Sequence, residues 1–272
     1  MGLTLDLTTT TSDRVLDLFH PIVRSWFTRQ FPKGPTEPQT AAWPLIAQGK
    51  DVLVASPTGT GKTLTGFLVA IDAACRLSVT NAEADPGPAP RVLYISPLRA
   101  LAADVHQNLQ VPLNGIRAEA ERLGLSVPEV SVATRTGDTP PAERRAMCKT
   151  PPHLLVTTPE SLYLLLTAAS SRVMLRHVRT VIVDEVHTLA RDKRGSHLAL
   201  SLERLAHLVE SGGGHLQRIG LSATQKPLEV VARLLCGVGP DRPMPEIVDC
   251  GHRRGLDVAI ELPDVELEAV AP

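Results

Sequence analysis

The octapeptide Ser56-Pro57-Thr58-Gly59-Thr60-Gly61-Lys62-Thr63 constrains this chain more than any other segment. It follows the apolar run Val52-Leu53-Val54-Ala55 and leads into a long helix-forming segment. A strand that enters a glycine-bearing turn and leaves as a helix is the context in which a backbone can wrap a phosphate. Glycine lets main-chain N–H groups converge on anionic oxygens without side-chain collision, and the positive end of the following helix faces the same anion. Thr58, Gly59, Thr60 and Gly61 would form the cradle. Lys62 adds a point charge near the terminal phosphates, and Thr63 offers a hydroxyl to a magnesium ion that keeps most of its waters. Serine at the first position still allows a tight turn.

Such a loop binds nucleotide but does not by itself hydrolyse it. Val181-Ile182-Val183-Asp184-Glu185-Val186-His187 supplies what is missing: β-branched residues followed by two carboxylates. Asp184 stands where a carboxylate can hold magnesium through a water, and Glu185 where a base can orient and deprotonate the attacking water. In-line attack on a γ-phosphate needs both tasks performed by separate groups. Together with Lys62 and Thr63, the pair points to a nucleoside triphosphatase that uses Mg2+. His187, two residues beyond Glu185, reads either as a cap or as a member of the same machinery.

The 272 residues are 43% apolar, enough for one generous domain or two small ones. Lys plus Arg number 28 against 29 Asp plus Glu, so any phosphate-binding face must be local. Aromatics are only 3%, which favours backbone contacts over base stacking in any nucleic-acid binding. Cys75, Cys148, Cys236 and Cys250 show no C-x-x-C spacing, so neither a zinc nor a redox site is expected. No apolar run approaches the ~20 residues of a membrane span, and Met1 to Asp13 lacks the apolar centre of a signal peptide. The chain therefore reads as cytoplasmic.

Helical spacing covers residues 14–30, through Val15, Leu16, Leu18, Phe19, Ile22, Val23, Trp26 and Phe27. Thr40 to Gln48 reads as a second helix. Strand-like runs then recur at Val52–Ser56, Val92–Ser96, Val130–Ala133, Leu154–Thr158, Val181–Asp184 and Arg218–Leu221. Between them lie helical segments at Lys62–Val79, Leu98–Asn108, Ala142–Cys148, Glu160–Ala168 and His197–Val209, with Pro227–Leu235 after the last. The alternation predicts an α/β fold: a mostly parallel sheet with helices on both faces. Near-continuous apolar strands fit burial on both sides. Asn81 to Pro90 reads as a mobile insertion. The expected division is a flexible N-terminus (1–13), one nucleotide-binding domain (14–245) and a linker (246–272) carrying a strand candidate at Leu256–Leu262. The chain looks cut before its next domain.

Four further segments lie just beyond strand ends, where open parallel sheets place ligands. They are Ser96-Pro97-Leu98-Arg99-Ala100-Leu101, Arg135-Thr136-Gly137-Asp138-Thr139, Thr157-Thr158-Pro159-Glu160-Ser161-Leu162 and Leu221-Ser222-Ala223-Thr224. Small hydroxyl residues and helix N-terminal amides are good ligands for a sugar-phosphate backbone. Arg191-Asp192-Lys193-Arg194-Gly195 and Arg144-Arg145 read either as solvated surface or as DNA contacts.

The loop, Asp-Glu-Val-His and Ser-Ala-Thr, in this order, resemble superfamily 2 helicases, namely their first RecA-like lobe. Gln39 is placed like the adenine-reading glutamine of that superfamily. Pro35-Thr36-Glu37-Pro38-Gln39, Arg135 to Pro140, Thr157 to Leu165, Lys193-Arg194-Gly195 and Leu202-Glu203-Arg204-Leu205 narrow the resemblance to the large helicase-related (Lhr) family, over roughly residues 15 to 265. What the resemblance implies is a RecA-like P-loop NTPase lobe of an ATP-dependent, 3′-to-5′ single-stranded DNA translocase that unwinds DNA or RNA–DNA duplexes in DNA repair. Gln39 would read adenine, and Asp184 and Glu185 would serve magnesium and water. His187 with Ser222, Ala223 and Thr224 would couple nucleotide state to DNA grip. Pro97, Arg99, Arg135, Thr136, Gly137, Asp138, Thr158, Pro159 and Glu160 would line the tracking strand. Asp138 and Glu160 cannot attract phosphate by charge, so they would cap a helix or orient an arginine such as Arg135 or Arg99. A duplex-DNA translocase and a non-hydrolysing regulatory module are the competing readings.

A second RecA-like lobe, with the arginine finger it would bring, is expected to lie outside this chain; such a finger is worth about 10³–10⁵ in rate. The 272 residues alone are therefore expected to bind ATP·Mg weakly, to hydrolyse it slowly and to leave duplexes intact, which a strand-separation assay on this chain checks.

Overall fold

The computed structural model describes residues 11–80, 89–125, 129–239 and 242–251. Seven parallel strands form one sheet: β1 (Val52–Ala55), β2 (Val92–Ile95), β3 (Val132–Arg135), β4 (Leu154–Thr157), β5 (Thr180–Val183), β6 (Gln217–Ser222) and β7 (Glu246–Asp249). Their order across the sheet is β3-β4-β2-β5-β6-β1-β7. Eleven helices accompany them among the described residues: α1 (Thr11–Leu16), α2 (Pro21–Gln30), α3 (Glu37–Ala47), α4 (Lys62–Thr80), α5 (Arg99–Arg122), α6 (Pro141–Lys149), α7 (Pro159–Thr167), α8 (Ala169–Leu175), α9 (Val186–Leu189), α10 (Lys193–Glu210) and α11 (Leu228–Cys236).

Side-chain alternation along the strands divides the core into two halves. Val52, Val54, Val92, Tyr94, Leu154, Val156, Ile182, Ile219 and Leu221 face one side, packed with residues of α1 to α5. Leu53, Ala55, Leu93, Ile95, Leu155, Val181 and Val183 face the other, against α7 to α11. Both surfaces of the sheet are thus covered. The first half is anchored by Trp43, which is fully buried. Its ring meets Phe19 and Phe27 edge-on at 4.8 and 5.4 Å. Its indole N–H donates to the Thr65 carbonyl at 3.0 Å, tying α3 to the start of α4.

At the sheet edge opposite the strand C-termini, Arg218 is a charged residue in the apolar interior, 1% exposed. Its backbone N–H donates to Asp51 Oδ1 at 2.7 Å, and its Nη1 donates to Glu203 Oε1 at 2.8 Å and to the Leu235 carbonyl at 3.0 Å. Glu203 also receives Arg242 at 2.5 Å. A buried guanidinium survives in such a place only when a carboxylate faces it. On the other side of the molecule, hydrogen bonds from Arg122 and Ser25 hold the Glu119 carboxyl down to about 2, and with Arg29 they join α2 to α5.

The structure corrects several expected boundaries. The helical run over 14–30 is two helices, because Pro21 lacks an N–H and occupies the first turn of α2. Leu18 falls in the break and is exposed. Helix begins at Thr11, inside the segment expected to be a flexible N-terminus; residues 1–10 lie outside the described ones. α5 runs to Arg122 despite Pro112, because Val105, Leu109, Ile116 and Ala120 stay on one buried stripe and their packing outweighs the lost backbone bond. β3 lies two residues later than expected; it is a half-exposed edge strand, whose hydrophobicity does not mark its ends. α8 is short and serine-rich, and its pattern was too brief to register.

Sheet pairing also continues past residue 245. Glu246–Asp249 pairs with β1, from Val52↔Glu246 to Ala55↔Asp249, so the sheet extends into the segment expected to be linker. Two exposed acids flank only Ile247 and buried Val248, a short apolar signal, and the pairing comes from main-chain bonds such as Cys250 N–H to Ala55 O at 2.9 Å. The strand candidate at Leu256–Leu262 and most of the insertion at Asn81–Pro90 lie outside the described residues.

Replacing Trp43 by Ala should cost about 3–5 kcal/mol of unfolding free energy, the usual range for a buried tryptophan. Urea denaturation of Trp43→Ala beside Trp43→Phe, which keeps most of the volume, measures how much of this is cavity.

Candidate nucleotide site and motor face

Because every strand runs the same way, the loops after β1, β5 and β6 open at one rim. β6 lies between β1 and β5, so the octapeptide and the two acids stand about 10 Å apart, two strand spacings, with Ser222-Ala223-Thr224 between them. The octapeptide folds as a tight turn: Gly59 and Gly61 both have φ near +82°, a region closed to most side chains. A Cβ on Gly61 would sit 2.7 Å from Gln39 Nε2. The Thr60 hydroxyl donates to the Pro57 carbonyl at 2.8 Å and shares a 2.8 Å hydrogen bond with Ser56 Oγ. Thr58 and Gly59 are exposed at the tip, and Thr63 is half-buried in the first turn of α4.

Lys62 is buried, and its Nζ donates to the Ser56 carbonyl at 2.5 Å. Burial pulls its amine below the ordinary value, while the charges of Glu185 and Asp184 pull it back up. The lysine and both acids therefore share one electrostatic environment. Gln39 is buried too: its Oε1 accepts the Thr36 N–H at 3.0 Å, and its Nε2 faces the Gly61 carbonyl at 3.4 Å. Thr36 Oγ1 donates to the Thr60 carbonyl at 2.9 Å. The Gln39 carboxamide thus links the cap of α3 to the phosphate loop. Phe19 and Phe27 pack around Trp43, as helical spacing suggested, whereas Phe31 is partly exposed beside Phe27.

Asp184 is 9% exposed. Its Oδ1 accepts the Glu185 N–H at 2.9 Å and its Oδ2 accepts the Tyr94 hydroxyl at 2.5 Å. Burial pushes its carboxyl upward; the Tyr94 hydrogen bond and Lys62 oppose that, while Glu185 adds to it. Tyr94 was not singled out in the sequence, where it is one apolar letter of a strand. Glu185 is the only non-glycine residue with positive φ among the described residues (φ 45°, ψ 38°). That left-handed turn ends β5 and starts α9 at a cost of about 1–2 kcal/mol, a strain that marks functional positions.

His187 joins two of the motifs. Its Nδ1 accepts the Ala223 N–H at 3.1 Å, so the ring proton sits on Nε2, which lies 3.3 Å from Glu185 Oε2. Ser222 in turn accepts the Ser56 N–H on its carbonyl at 3.1 Å. A continuous set of contacts therefore runs from Glu185 through His187 and the Ser-Ala-Thr segment to the phosphate loop. Thr224 is exposed and lies against Gly251, where a Cβ would meet its Cγ2 at 2.5 Å.

Further along the same rim, Thr158 caps α7 through Ser161, and Pro159 occupies the first turn. Glu160 pairs with Arg194 at 2.7 Å, and Arg194 also donates to the Pro97 carbonyl at 2.7 Å. The arginine that Glu160 orients thus comes from the charged run 191–195 rather than from position 135 or 99. Asp192, from the same run, caps α10. Arg99 opens α5. The Thr136 N–H donates to Thr139 Oγ1 at 2.9 Å, and Gly137 and Asp138 are exposed at the tip of that loop. Arg144 donates to the carbonyls of Thr139 and Gly137 at 2.6 and 2.7 Å, and so braces the loop. Arg135 is 7% exposed: it donates to the Thr136 carbonyl of that loop and also lines a flank cavity with Met147, Leu165 and Met174, so it presents little surface to a strand.

The donor set for a metal here is one carboxylate and one hydroxyl. Among the described residues no cluster of three or more His, Cys, Asp or Glu is placed to hold an ion. A sparse set of this kind fits magnesium, which keeps its waters and takes further oxygens from phosphate. The positive-φ glycines and the buried lysine fit a triphosphate equally well. Among the described residues no helix is long and apolar enough to cross a membrane.

The DEAD/DEAH box helicase family model matches residues 36–232, from just before Gln39 to α11. The chain belongs to the DEAD/DEAH box helicase family. Within it, the chain is 49% identical over 255 residues to the Lhr helicase/probable uracil glycosylase of Mycolicibacterium smegmatis, covering 94% of this chain and 16% of that protein. It is 47% identical to the ATP-dependent helicase Lhr-Core of Methanothermobacter thermautotrophicus, covering 96% of this chain and 30% of the relative. The structure of Mycobacterium smegmatis helicase Lhr bound to ssDNA and AMP-PNP is similar at 50% identity and a TM-score of 0.78, over 88% of this chain and 29% of that one. The DEAD-box helicase Mss116, at 16% identity and a TM-score of 0.70 over 89% of this chain and 45% of that one, shares the fold. The parallel sheet is thus a RecA-like helicase lobe, and the chain spans 16% to 30% of the length of its curated Lhr relatives.

Burial lowers the His187 pKa first; Glu185 raises it, and Lys62 and Arg191 lower it again, leaving it below 6.5. The unfolded chain therefore binds more protons than the folded one between the two values. The stability contribution is full above 6.5 and declines as pH falls from 6.5 toward the folded value. An NMR titration of the ring in the nucleotide-free chain should show a midpoint below 6.5, and Glu185→Gln, which removes the raising charge, should lower it further.

Proposed function

We propose that this chain is the ATP-binding first lobe of an ATP-dependent nucleic-acid motor that moves 3′-to-5′ on single-stranded DNA and unwinds DNA or RNA–DNA duplexes in DNA repair. The observation that carries this reading is the shared environment of Lys62, Asp184 and Glu185, joined through His187 to the Ser-Ala-Thr segment. Thr58 to Thr63 would cradle the triphosphate, Gln39 would stand at the adenine side, and Thr63 and Asp184 would hold a hydrated magnesium. The metal, when bound, neutralises charge on the phosphate oxygens. Glu185 holds the attacking water and accepts its proton. Its Oε2 lies 3.3 Å from His187 Nε2, which places the acid beside the coupling histidine.

The coupling role follows from the same contacts. A shift of Glu185 moves His187, and His187 holds the Ala223 N–H, so nucleotide state reaches the loop ending at Thr224. The tracking strand is proposed to cross the rim formed by Pro97, Arg99, Thr136, Gly137, Asp138, Thr158, Pro159 and Glu160, with Arg194 fixing the relation between Glu160 and the Pro97 carbonyl. Helix caps and loop amides of this kind suit phosphodiester contacts. The ssDNA and AMP-PNP in the similar Lhr structure support strand and nucleotide binding on this lobe. A second RecA-like lobe is the proposed partner, and the cytoplasm the proposed compartment. The domain is proposed to run from α1 through β7, with the linker beginning after Asp249.

In the full-length parent, Glu185→Gln should cut ATP turnover by about 10²–10⁴-fold, the usual worth of a general base, while nucleotide binding persists. Unchanged turnover would favour the non-hydrolysing regulatory module. Stimulation of the parent ATPase by single-stranded rather than duplex DNA separates the unwinding motor from a duplex translocase.

A further inference from the structure

We infer that Tyr94 is a positioning residue: its hydroxyl sets the rotation of the Asp184 carboxylate, and its ring ties that acid to the helix carrying Lys62 and Thr63. The inference rests on the nucleotide-site reading above. Tyr94 lies on β2, directly beside β5, with Tyr94↔Ile182 in register, and is 1% exposed. Its hydroxyl donates to Asp184 Oδ2 at 2.5 Å, while Oδ1 accepts the Glu185 N–H at 2.9 Å. Two donors, one on each oxygen, fix the plane of the carboxylate. An ionised carboxylate offers about four acceptor positions. Each Asp184 oxygen therefore keeps a free direction for the waters of a divalent cation, and those directions are set in advance.

The other side of Tyr94 reaches the phosphate loop. Its ring stacks on Phe67 with centroids 4.4 Å apart and planes 18° from parallel. Phe67 lies on α4, one turn after Thr63, so the two share a helix face. On the preceding residue, a Cβ added to Gly66 would lie 3.4 Å from Ile182 of β5, which shows how closely α4 rests on the strand that delivers the acid. The lysine, the metal-facing hydroxyl and the acid are thus joined by one ring and one hydroxyl, and the spacing between the phosphate cradle and the carboxylate is held from inside the core. A phenylalanine at position 94 would fill the same space, so the hydroxyl contributes something that packing does not require. A hydrogen bond to a charged group of this sort is among the stronger ones.

The test is nucleotide affinity with and without the metal. A fluorescent ATP analogue is titrated into the 272-residue chain and its Tyr94→Phe variant, once in Mg2+ and once in EDTA, with melting temperatures recorded for both. Tyr94→Phe is expected to reduce the Mg2+-dependent gain in affinity by about tenfold, as expected for one lost hydrogen bond to a charged group, and to leave the affinity in EDTA unchanged. Phe67→Leu, which removes the stack but keeps the hydroxyl, is expected to give a smaller loss of the same gain. Equal affinity of Tyr94→Phe and the parent chain in Mg2+ overturns the inference, as does an equal loss in both conditions, which would mark the tyrosine as a packing residue. If the parent chain gains nothing from Mg2+, or Lys62→Ala binds as the parent does, the nucleotide-site reading fails and takes the inference with it.

Discussion

The constraint on which the rest depends is that apolar strands here are covered on both faces. Val52-Leu53-Val54-Ala55 sends alternate side chains into two separate clusters, and β2, β4 and β5 do the same. With no face left for water, polar chemistry is confined to the rims. Parallel strands then assign the rims unequal roles: the loops after the strands all open on one side, and there the glycines, the lysine and the acids accumulate. The opposite rim carries an ion-pair network around Arg218, Glu203 and Arg242.

Strand order also sets which loops touch. β6 between β1 and β5 puts the Ser-Ala-Thr segment within reach of both the phosphate loop, through Ser56 N–H to Ser222 O, and the acids, through His187 to Ala223 N–H. The left-handed turn at Glu185 brings its carboxylate beside His187. A neutral histidine with one nitrogen accepting and the other facing a carboxylate is sensitive to the position of either neighbour, which suits a residue that transmits rather than reacts.

Much of this was legible in the sequence. The octapeptide, the acids at the end of a β-branched run, and six of the seven strands, β3 displaced by two residues, could be read from apolar patterns and residues of restricted conformation. What escaped was set by tertiary contact. β7 has only two apolar residues between exposed acids, and its register comes from β1, not from its own composition. The break at Pro21 was masked by flanking apolar residues that keep helical spacing. Arg135 read as a rim cation, yet it is buried between the Thr136 carbonyl and a flank cavity, while half-buried Arg194, hidden in a charged run that looked like surface, is the arginine that bridges Glu160 and the Pro97 carbonyl. Glu203, quoted only as part of a family signature, is the counter-ion of a buried arginine and far from the site. Tyr94 could not be told from its apolar neighbours, because its hydroxyl acquires a role only once β2 and β5 lie side by side.

The parallel pairing of β7 has a geometric consequence. The main chain departs from the sheet next to the phosphate loop, where Cys250 N–H meets Ala55 O, and not from the far rim. Lys226 grips Asp249 at 3.0 Å and Thr224 leans on Gly251, so the departing segment is braced against the loop that listens to His187. The exit therefore lies beside Thr224, about three strand spacings from the acids across the sheet.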